Sequence, residues 1–381
     1  MKTFDKTLKL MVMALTLVFS FSIFISCGDS DGGKDDDDAL YYAWFTNNGG
    51  SSGNNFKIGT PKELLGFAKI VNGTWGGSPS QFDFSGKIIN LKANLDLENR
   101  EWEPIGFFSF TDPLPFSGEF DGNGKKITGL KVNKPSIDCV GLFGYVVNGT
   151  IKSLEVSGSV LGKENVGGVL GCNSSGTVEN CSYTGDVTGT SNVGGVAGRN
   201  TGGSVLNCYN KGDVTGTGGN VGGVVGENYS GGAVSNCYNT GNVKSTGVYH
   251  VGGVVGRIFG CTVENCYNTG NVEGNSFVGG VAGRMDGSSL ENCVSLGQTV
   301  TGNLIGRVVV VGSSPIVNNN YAQNSMIPIG ASFSGDSDYD GTFVTLAETQ
   351  NQNWWETIAL FEFPSPWKWD SVNKRPKLYW E

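Results

Sequence analysis

The chain has 381 residues, enough for one or two domains, and its 61 glycines follow no Gly-X-Y period, which excludes collagen. Hydrophobic residues make up 38%, which argues against disorder, and a formal net charge of −9 argues against a nucleic-acid partner, whose phosphates need clustered Lys and Arg. Helix formers are sparse in the middle, where Val, Asn, Thr and Gly dominate, so the composition predicts many short strands joined by turns.

Taken from the start, Lys2, Lys6 and Lys9 precede an apolar run from Leu10 to Ile25. That is the build of an export signal over residues 1–26, too short for a confident membrane span. The run ends in Phe24-Ile25-Ser26-Cys27-Gly28, which resembles the lipobox of bacterial lipoproteins. The resemblance implies that Cys27 is lipidated, becomes the mature N-terminus and anchors the chain to a membrane. An ordinary signal peptide with an incidental cysteine is the plainer alternative. Residues 27–40 contain Asp29, Asp31 and Asp35 to Asp38 and too little apolar surface to fold, so they read as a flexible tether. This tract also resembles the acidic signal of Bacteroidetes lipoproteins that are sent to the outer face of the outer membrane. Removing residues 1–26 takes away three lysines and one aspartate, which moves the charge from −9 to −11.

Thr60-Pro61-Lys62-Glu63 is a helix start, with Thr at the N-cap, Pro at the first helical position and Glu closing a capping box. Leu64, Leu65, Ala68 and Val71 follow at helical spacing and Gly73 is a natural stop. One apolar face on a short helix predicts a cap over the open end of a repeat structure. Residues 88–97 then alternate as a strand, and Asp121-Gly122-Asn123-Gly124 is turn chemistry between two apolar runs. Trp102-Glu103-Pro104-Ile105-Gly106, the run Phe116 to Gly124, Gly141-Leu142-Phe143-Gly144 and the Val-Gly-Gly-Val units that follow resemble the GLUG-motif proteins of bacterial cell surfaces. The resemblance covers roughly residue 60 to the C-terminus and implies an all-β, pectate-lyase-like, right-handed parallel β-helix. Its body would span 41–345, with the repeats clearest at 139–311 and a C-terminal cap over 346–381.

The repeat itself is direct. Val-Gly-Gly-Val begins at Val193, Val221 and Val251, and cysteines recur at 181, 208, 237, 266 and 293, spaced by 27, 29, 29 and 27 residues. Self-similarity at this period signals a solenoid. Three strand-like pieces per unit predict a three-sided coil, with strands stacked about 4.8 Å apart and each residue over its equivalent. Ile151, Leu154, Gly158 and Val160 sit 27 residues before Val178, Cys181, Gly185 and Val187, and Asn320 sits 27 after Cys293, so coils extend both ways. Val178, Val205, Val234, Val263 and Leu290 should point inward, together with Cys181, Cys208, Cys237, Cys266 and Cys293 acting as small hydrophobes. Asn180, Asn207, Asn236, Asn265, Asn292 and Asn319 should occupy a bend in left-handed geometry, with amides bonded along the stack.

Several positions could carry chemistry. The cysteine ladder lacks Cys-x-x-Cys metal spacing, and His250 is the one histidine, so packing is its plain reading and a disulfide between coils its rival. Tyr209, Tyr238 and Tyr267 follow inward cysteines and should form an outward stripe, suited to sugar rings or a protein partner, or else to mutual stacking. Tyr321 would rejoin it across the gap left by Val294. Arg199, Glu227, Arg257, Arg284 and Arg307 share one repeat position; the first three suggest a cross-strand ion pair and the last two an anion site. Asp336, Asp338 and Asp340 with Gly341 have the oxygen-donor spacing of a Ca²⁺ loop, although Ala347 stands where the twelfth-position Glu belongs; a polar surface loop is the plainer reading. Asp186 and Asp213 stack on adjacent coils as a carboxylate pair, but Asn242 and Asn271 follow at that position, and no nucleophile elbow, zinc-protease or Walker motif is present.

Leu346 to Ile358 reads as a short helix, and Trp367, Trp369 and Trp380 crowd the last stretch. These aromatics should close the second open end, or else line a sugar pocket. The function expected from all this is a non-catalytic, surface-exposed lipoprotein of the outer membrane. It would have no obligatory cofactor and would display an adhesive β-helical surface to glycans or to host or matrix proteins. The rival is a polysaccharide lyase or hydrolase on the same fold, by analogy of fold alone.

Overall fold

In the computed structural model, residues 43–74, 81–329, 332–333 and 340–381 are described. The signal segment, Cys27 and the acidic tether therefore lie outside the described residues. The body is a parallel β-solenoid of about nine turns with coils of about 27 residues. One 22-stranded sheet and two seven-stranded sheets run its length, and a two-stranded antiparallel hairpin follows. The register is the one that the repeat predicts. Ile151, Leu154, Gly158 and Val160 pair with Val178, Cys181, Gly185 and Val187, and Val205, Val234, Val263 and Leu290 succeed one another up one face.

In one respect the coil differs from the expectation. The Val-Gly-Gly-Val-x-Gly unit is a corner rather than one strand. Ser191–Gly194 belongs to one seven-stranded sheet and Ala197–Thr201 to the other. The glycines are needed because the chain turns against its own neighbours: a Cβ on Gly195 would lie 2.2 Å from the Asn210 side chain and 2.3 Å from the Gly223 carbonyl.

Val193, Val196, Val205 and Val214 are fully buried along with the cysteines of the ladder, forming one continuous column. Each valine withdrawn from water contributes on the order of 1.5–3 kcal/mol, which together offset the entropy of ordering so glycine-rich a chain. The thiols also donate: Cys208 Sγ to the Leu206 carbonyl at 3.0 Å and Cys266 Sγ to the Glu264 carbonyl at 3.1 Å. Asn180, Asn207, Asn236, Asn265, Asn292 and Asn319 all adopt left-handed backbone, with φ between 51° and 54°. Their amides bond one another from Asn265 through Asn292 to Asn319, at 3.1 and 2.8 Å.

A second asparagine ladder does more. Asn210, Asn239 and Asn268 are fully buried. Asn210 Nδ2 donates to Asn239 Oδ1, and Asn239 Nδ2 to Asn268 Oδ1, both at 2.9 Å. Each also ties the glycine two residues on, so that buried amides and buried corner backbone satisfy each other. On the coil after Cys293, Asn320 takes the cysteine position. Its Oδ1 accepts from the Cys293 amide at 2.8 Å and its Nδ2 donates to the Leu290 carbonyl at 2.8 Å.

The helix Pro61–Val71 covers the first coil. Thr60 Oγ1 accepts from the Glu63 amide at 3.2 Å while Glu63 Oε2 accepts from the Thr60 amide at 3.0 Å, which closes the capping box. Its buried face carries Phe67, whose ring lies 5.5 Å from that of Phe116 and 5.9 Å from that of Phe120. Phe45, Phe56 and Phe84 complete an aromatic plug.

The C-terminal cap is aromatic, as expected, but extends beyond the end of the solenoid. The single helix expected over 346–358 is two, Leu346–Thr349 and Gln352–Thr357, followed by the hairpin Trp367–Asp370 with Arg375–Leu378. This tail folds back along the flank, and Trp380 Nε1 donates to the Asn207 carbonyl at 3.0 Å, several coils upstream.

A disulfide joins Cys139 to Cys172, with Cα atoms 5.2 Å apart. Both lie off the one-per-coil ladder, whose five cysteines stay free and buried along with Cys261. Closing a loop of this length restricts the unfolded chain, so replacing both cysteines with serine should lower stability by about 2–4 kcal/mol. Urea unfolding of the variant, beside the parent with and without a reductant, checks this. The reduced parent should approach the variant.

Candidate functional site

Tyr209, Tyr238 and Tyr267 stand in register and stack as a column, with ring centroids 4.9 Å apart at each step and planes within 11° and 4°. They point outward from the sheet, but the expectation of an open stripe is corrected: they are only 4%, 3% and 2% exposed. The tail lies on them. Trp380 stacks on Tyr209 at 5.3 Å, Trp367 approaches Tyr267 at 5.8 Å, and Tyr267 Oη donates to the Pro376 carbonyl at 2.7 Å. Tyr238 Oη donates to Glu381 Oε2 at 2.8 Å. Burial pushes the Tyr209 hydroxyl up to about 12, so it stays neutral. Tyr321 rejoins the column as Trp354's partner at 5.1 Å, with Val294 filling the gap. The Trp-lined pocket is likewise filled from within, since Trp355 and Trp367 are fully buried against this column.

The remaining sequence candidates divide. Asp336 and Asp338 lie outside the described residues. Asp340 holds the backbone amide of Arg307 at 2.9 Å and its guanidinium at 3.4 Å, so one of the expected Ca²⁺ donors is already engaged. Among the described residues no group of three or more His, Cys, Asp or Glu is placed to hold a metal ion. Burial pushes the Cys208 and Cys266 thiols well up, which suppresses the reactive thiolate. Asp186 and Asp213 are exposed, and Asp213 Oδ1 accepts from the Asn242 amide at 2.8 Å, bracing the next coil.

The arginine row is where the structure gathers something. Glu227, nearly buried, sits between Arg199 at 3.2 Å and Arg257 at 3.3 Å. Arg284, expected to be open to an anion, is bound by Asp286 at 2.8 and 3.1 Å, an arrangement that holds the Asp286 carboxyl below its usual range. Across the corner from this row runs another ladder that sequence reasoning missed. Asn220 Nδ2 donates to Asn192 Oδ1, and Asn192 Nδ2 to Asn165 Oδ1, both at 2.8 Å. All three precede the first valine of their unit with left-handed backbone. At the same place the next two coils carry His250 and Phe277. His250 Nδ1 lies 2.6 Å from Asn220 Oδ1, which must accept because its amide nitrogen already donates. Nδ1 therefore carries the proton and Nε2 is left as an acceptor.

Where the ladder breaks, a recess of about 630 Å³ opens, lined by Asn220, Tyr249, His250, Arg257, Phe277 and Arg284. The Tyr249 ring is 5.7 Å from that of His250, which is 5.3 Å from Phe277, and the Arg284 guanidinium lies 5.0 Å over Phe277. Tyr249 is 56% exposed. Burial, and then the nearby Arg257 and Arg284, lower His250 to about 4, so the imidazole is neutral at physiological pH. The signal was legible in principle: histidine and phenylalanine stand where three asparagines lead.

Four consecutive segments, 162–188, 189–215, 217–244 and 247–273, match the GLUG motif. The GLUG units are thus the coils that carry the ladders, and the fourth contributes Tyr249, His250 and Arg257 to the recess. The chain is also 35% identical over 84 residues to a protein of Evansella cellulosilytica described as a Gly-rich membrane protein. That match covers 22% of this chain and 9% of the relative's length. No solved structure matches. No helix among the described residues is long and apolar enough to cross a membrane.

Proposed function

We propose that this protein is a non-catalytic lipoprotein of the outer membrane, exposed at the cell surface, whose β-helix presents a binding surface for glycans or proteins. The observation that carries the reading is the recess. Among the described residues it brings together an exposed aromatic ring, a neutral imidazole and guanidinium groups on stacked coils. Two features support export and anchoring. The Cys139–Cys172 disulfide suits an oxidising compartment, and Cys27 follows an apolar segment in a lipobox-like setting. The GLUG match supports a surface role without naming a ligand.

The test pairs a location with a ligand. The full chain, purified in mild detergent, is applied to arrays of glycans and matrix proteins, and intact cells are shaved with protease. Binding on the array together with loss of the protein on shaving is expected. Release of products from a polysaccharide would transfer the fold to the lyase and hydrolase class. Survival of shaving together with a blank array would overturn the proposal.

A further inference from the structure

We propose that the recess at the break in the asparagine ladder is a site for a carboxylate-bearing saccharide. In this assignment the sugar acid is held by Arg257 and Arg284 and the ring face lies on Tyr249. The inference deepens the binding reading above and rests on it.

Charge is the first argument. The chain carries −9 overall, yet the lining holds two guanidinium groups and no carboxylate. Their carboxylate partners sit deeper, with the Glu227 and Asp286 side chains 8% and 9% exposed against 29% and 32% for Arg257 and Arg284. Counting Arg199, the cluster has three cations and two anions, one positive charge in excess. Asp286 occupies Nε and Nη2 of Arg284, and Glu227 accepts from Nη1 of Arg257. Arg284 Nη1 and Arg257 Nη2 are left to receive a ligand carboxylate, each through a single charge-assisted hydrogen bond.

The other lining groups separate a sugar acid from a bare anion. A free phosphate or sulfate would use donors only, and the site would gain nothing from an acceptor or from an apolar face. Here His250 is held by Asn220 with its Nδ1 proton committed, so Nε2 accepts, which suits a hydroxyl. Tyr249, largely exposed beside it, supplies an aromatic face for the C–H side of a pyranose. A volume of about 630 Å³ accommodates a short oligosaccharide. The site is rigid because its floor is stacked backbone, and Val221, Val251 and Val278 pair in strict register beneath it.

The experiment measures binding of the full chain to sialyllactose and to digalacturonate, with lactose as the neutral comparison, by calorimetry at two salt concentrations. One or both acidic sugars should bind at least about tenfold more tightly than lactose, the contribution of a charge-assisted contact, and the preference should shrink in salt. The double substitution R284Q/D286N removes the pair together and leaves no buried carboxylate unpaired. It should weaken acidic-sugar binding about tenfold, and Tyr249→Ala, at an exposed position, about fivefold. Equal affinity for lactose and both acids, or an unchanged affinity in R284Q/D286N, would overturn the assignment. If array ligands bind but neither acid does, this inference fails and the binding reading stands. If neither acid binds, the array is blank and the protein survives shaving, both fail.

Discussion

Replacing Trp367 with alanine is expected to cost about 3–5 kcal/mol of local stability and to release the C-terminal cap while leaving the coils folded. Trp367 is fully buried and joins the tail to the Tyr column, with ring centroids 4.9 Å from Phe361, 5.8 Å from Tyr267 and 6.3 Å from Tyr238. The cluster is separate from the valine and cysteine column, because the Tyr sheet lies between them. A cavity at Trp367 therefore weakens what lies outside the sheet and spares what lies inside. Limited proteolysis should trim the tail of Trp367→Ala at protease levels that leave the parent intact. Tyr209, Tyr238 and Tyr267 should become open to nitration, with the β signal in circular dichroism retained. Loss of the whole fold in one transition, with no trimmed species, would show that cap and solenoid are a single cooperative unit.

This cap also shows where local sequence stops being informative. Alternation along the strand identifies Tyr209, Tyr238 and Tyr267 as outward, since each follows an inward cysteine, and outward they are. Period-two patterning says which face of a sheet a side chain leaves from, not what lies on that face. The covering strands come from residues 367–378, a hundred or more positions away, and nothing in the repeat encodes their arrival. The end cap over the first coil was legible for the opposite reason. Thr60, Pro61 and Glu63 determine the helix by contacts within one turn.

The same distinction explains the disulfide and the recess. Stacked equivalents can be found by counting 27 residues, but Cys139 and Cys172 are 33 apart and meet diagonally across a corner. Gly171 permits the approach, since a Cβ there would lie 2.7 Å from the Cys139 Cα. The ladders were readable because each repeats one physical solution: valine inside, asparagine at a left-handed bend, paired glycines at a corner. A site is a departure from such a solution. His250 interrupts an amide ladder that works well with asparagine, so the interruption costs something in stability, and its size can be measured.

That cost is proton-linked. His250 is lowered to about 4 in the folded chain by burial and by Arg257 and Arg284, whereas an unfolded histidine titrates near 6.5. The folded imidazole is neutral, so between these values the unfolded chain binds the extra proton, and stability falls as pH drops from 6.5 towards 4. Complete titration across that window would remove about 3 kcal/mol, and partial exposure of the ring reduces this to about 2 kcal/mol. Asp286, which lies behind the recess against Arg284, is held low by that guanidinium, so its contribution is lost only as pH falls below the ordinary carboxylate range. Asp370, on the cap, behaves in the same way because Asn373 bonds its carboxylate. With one histidine in the chain, the slope between pH 4 and 6.5 is assigned to His250. Substituting His250→Asn continues the amide ladder from Asn220 and removes the titrating group. Urea midpoints at pH 7, 6, 5 and 4 should therefore decline in the parent and stay nearly level in His250→Asn, with the variant more stable than the parent at the acid end. Parallel slopes in the two proteins would place the proton elsewhere and leave His250 as packing alone.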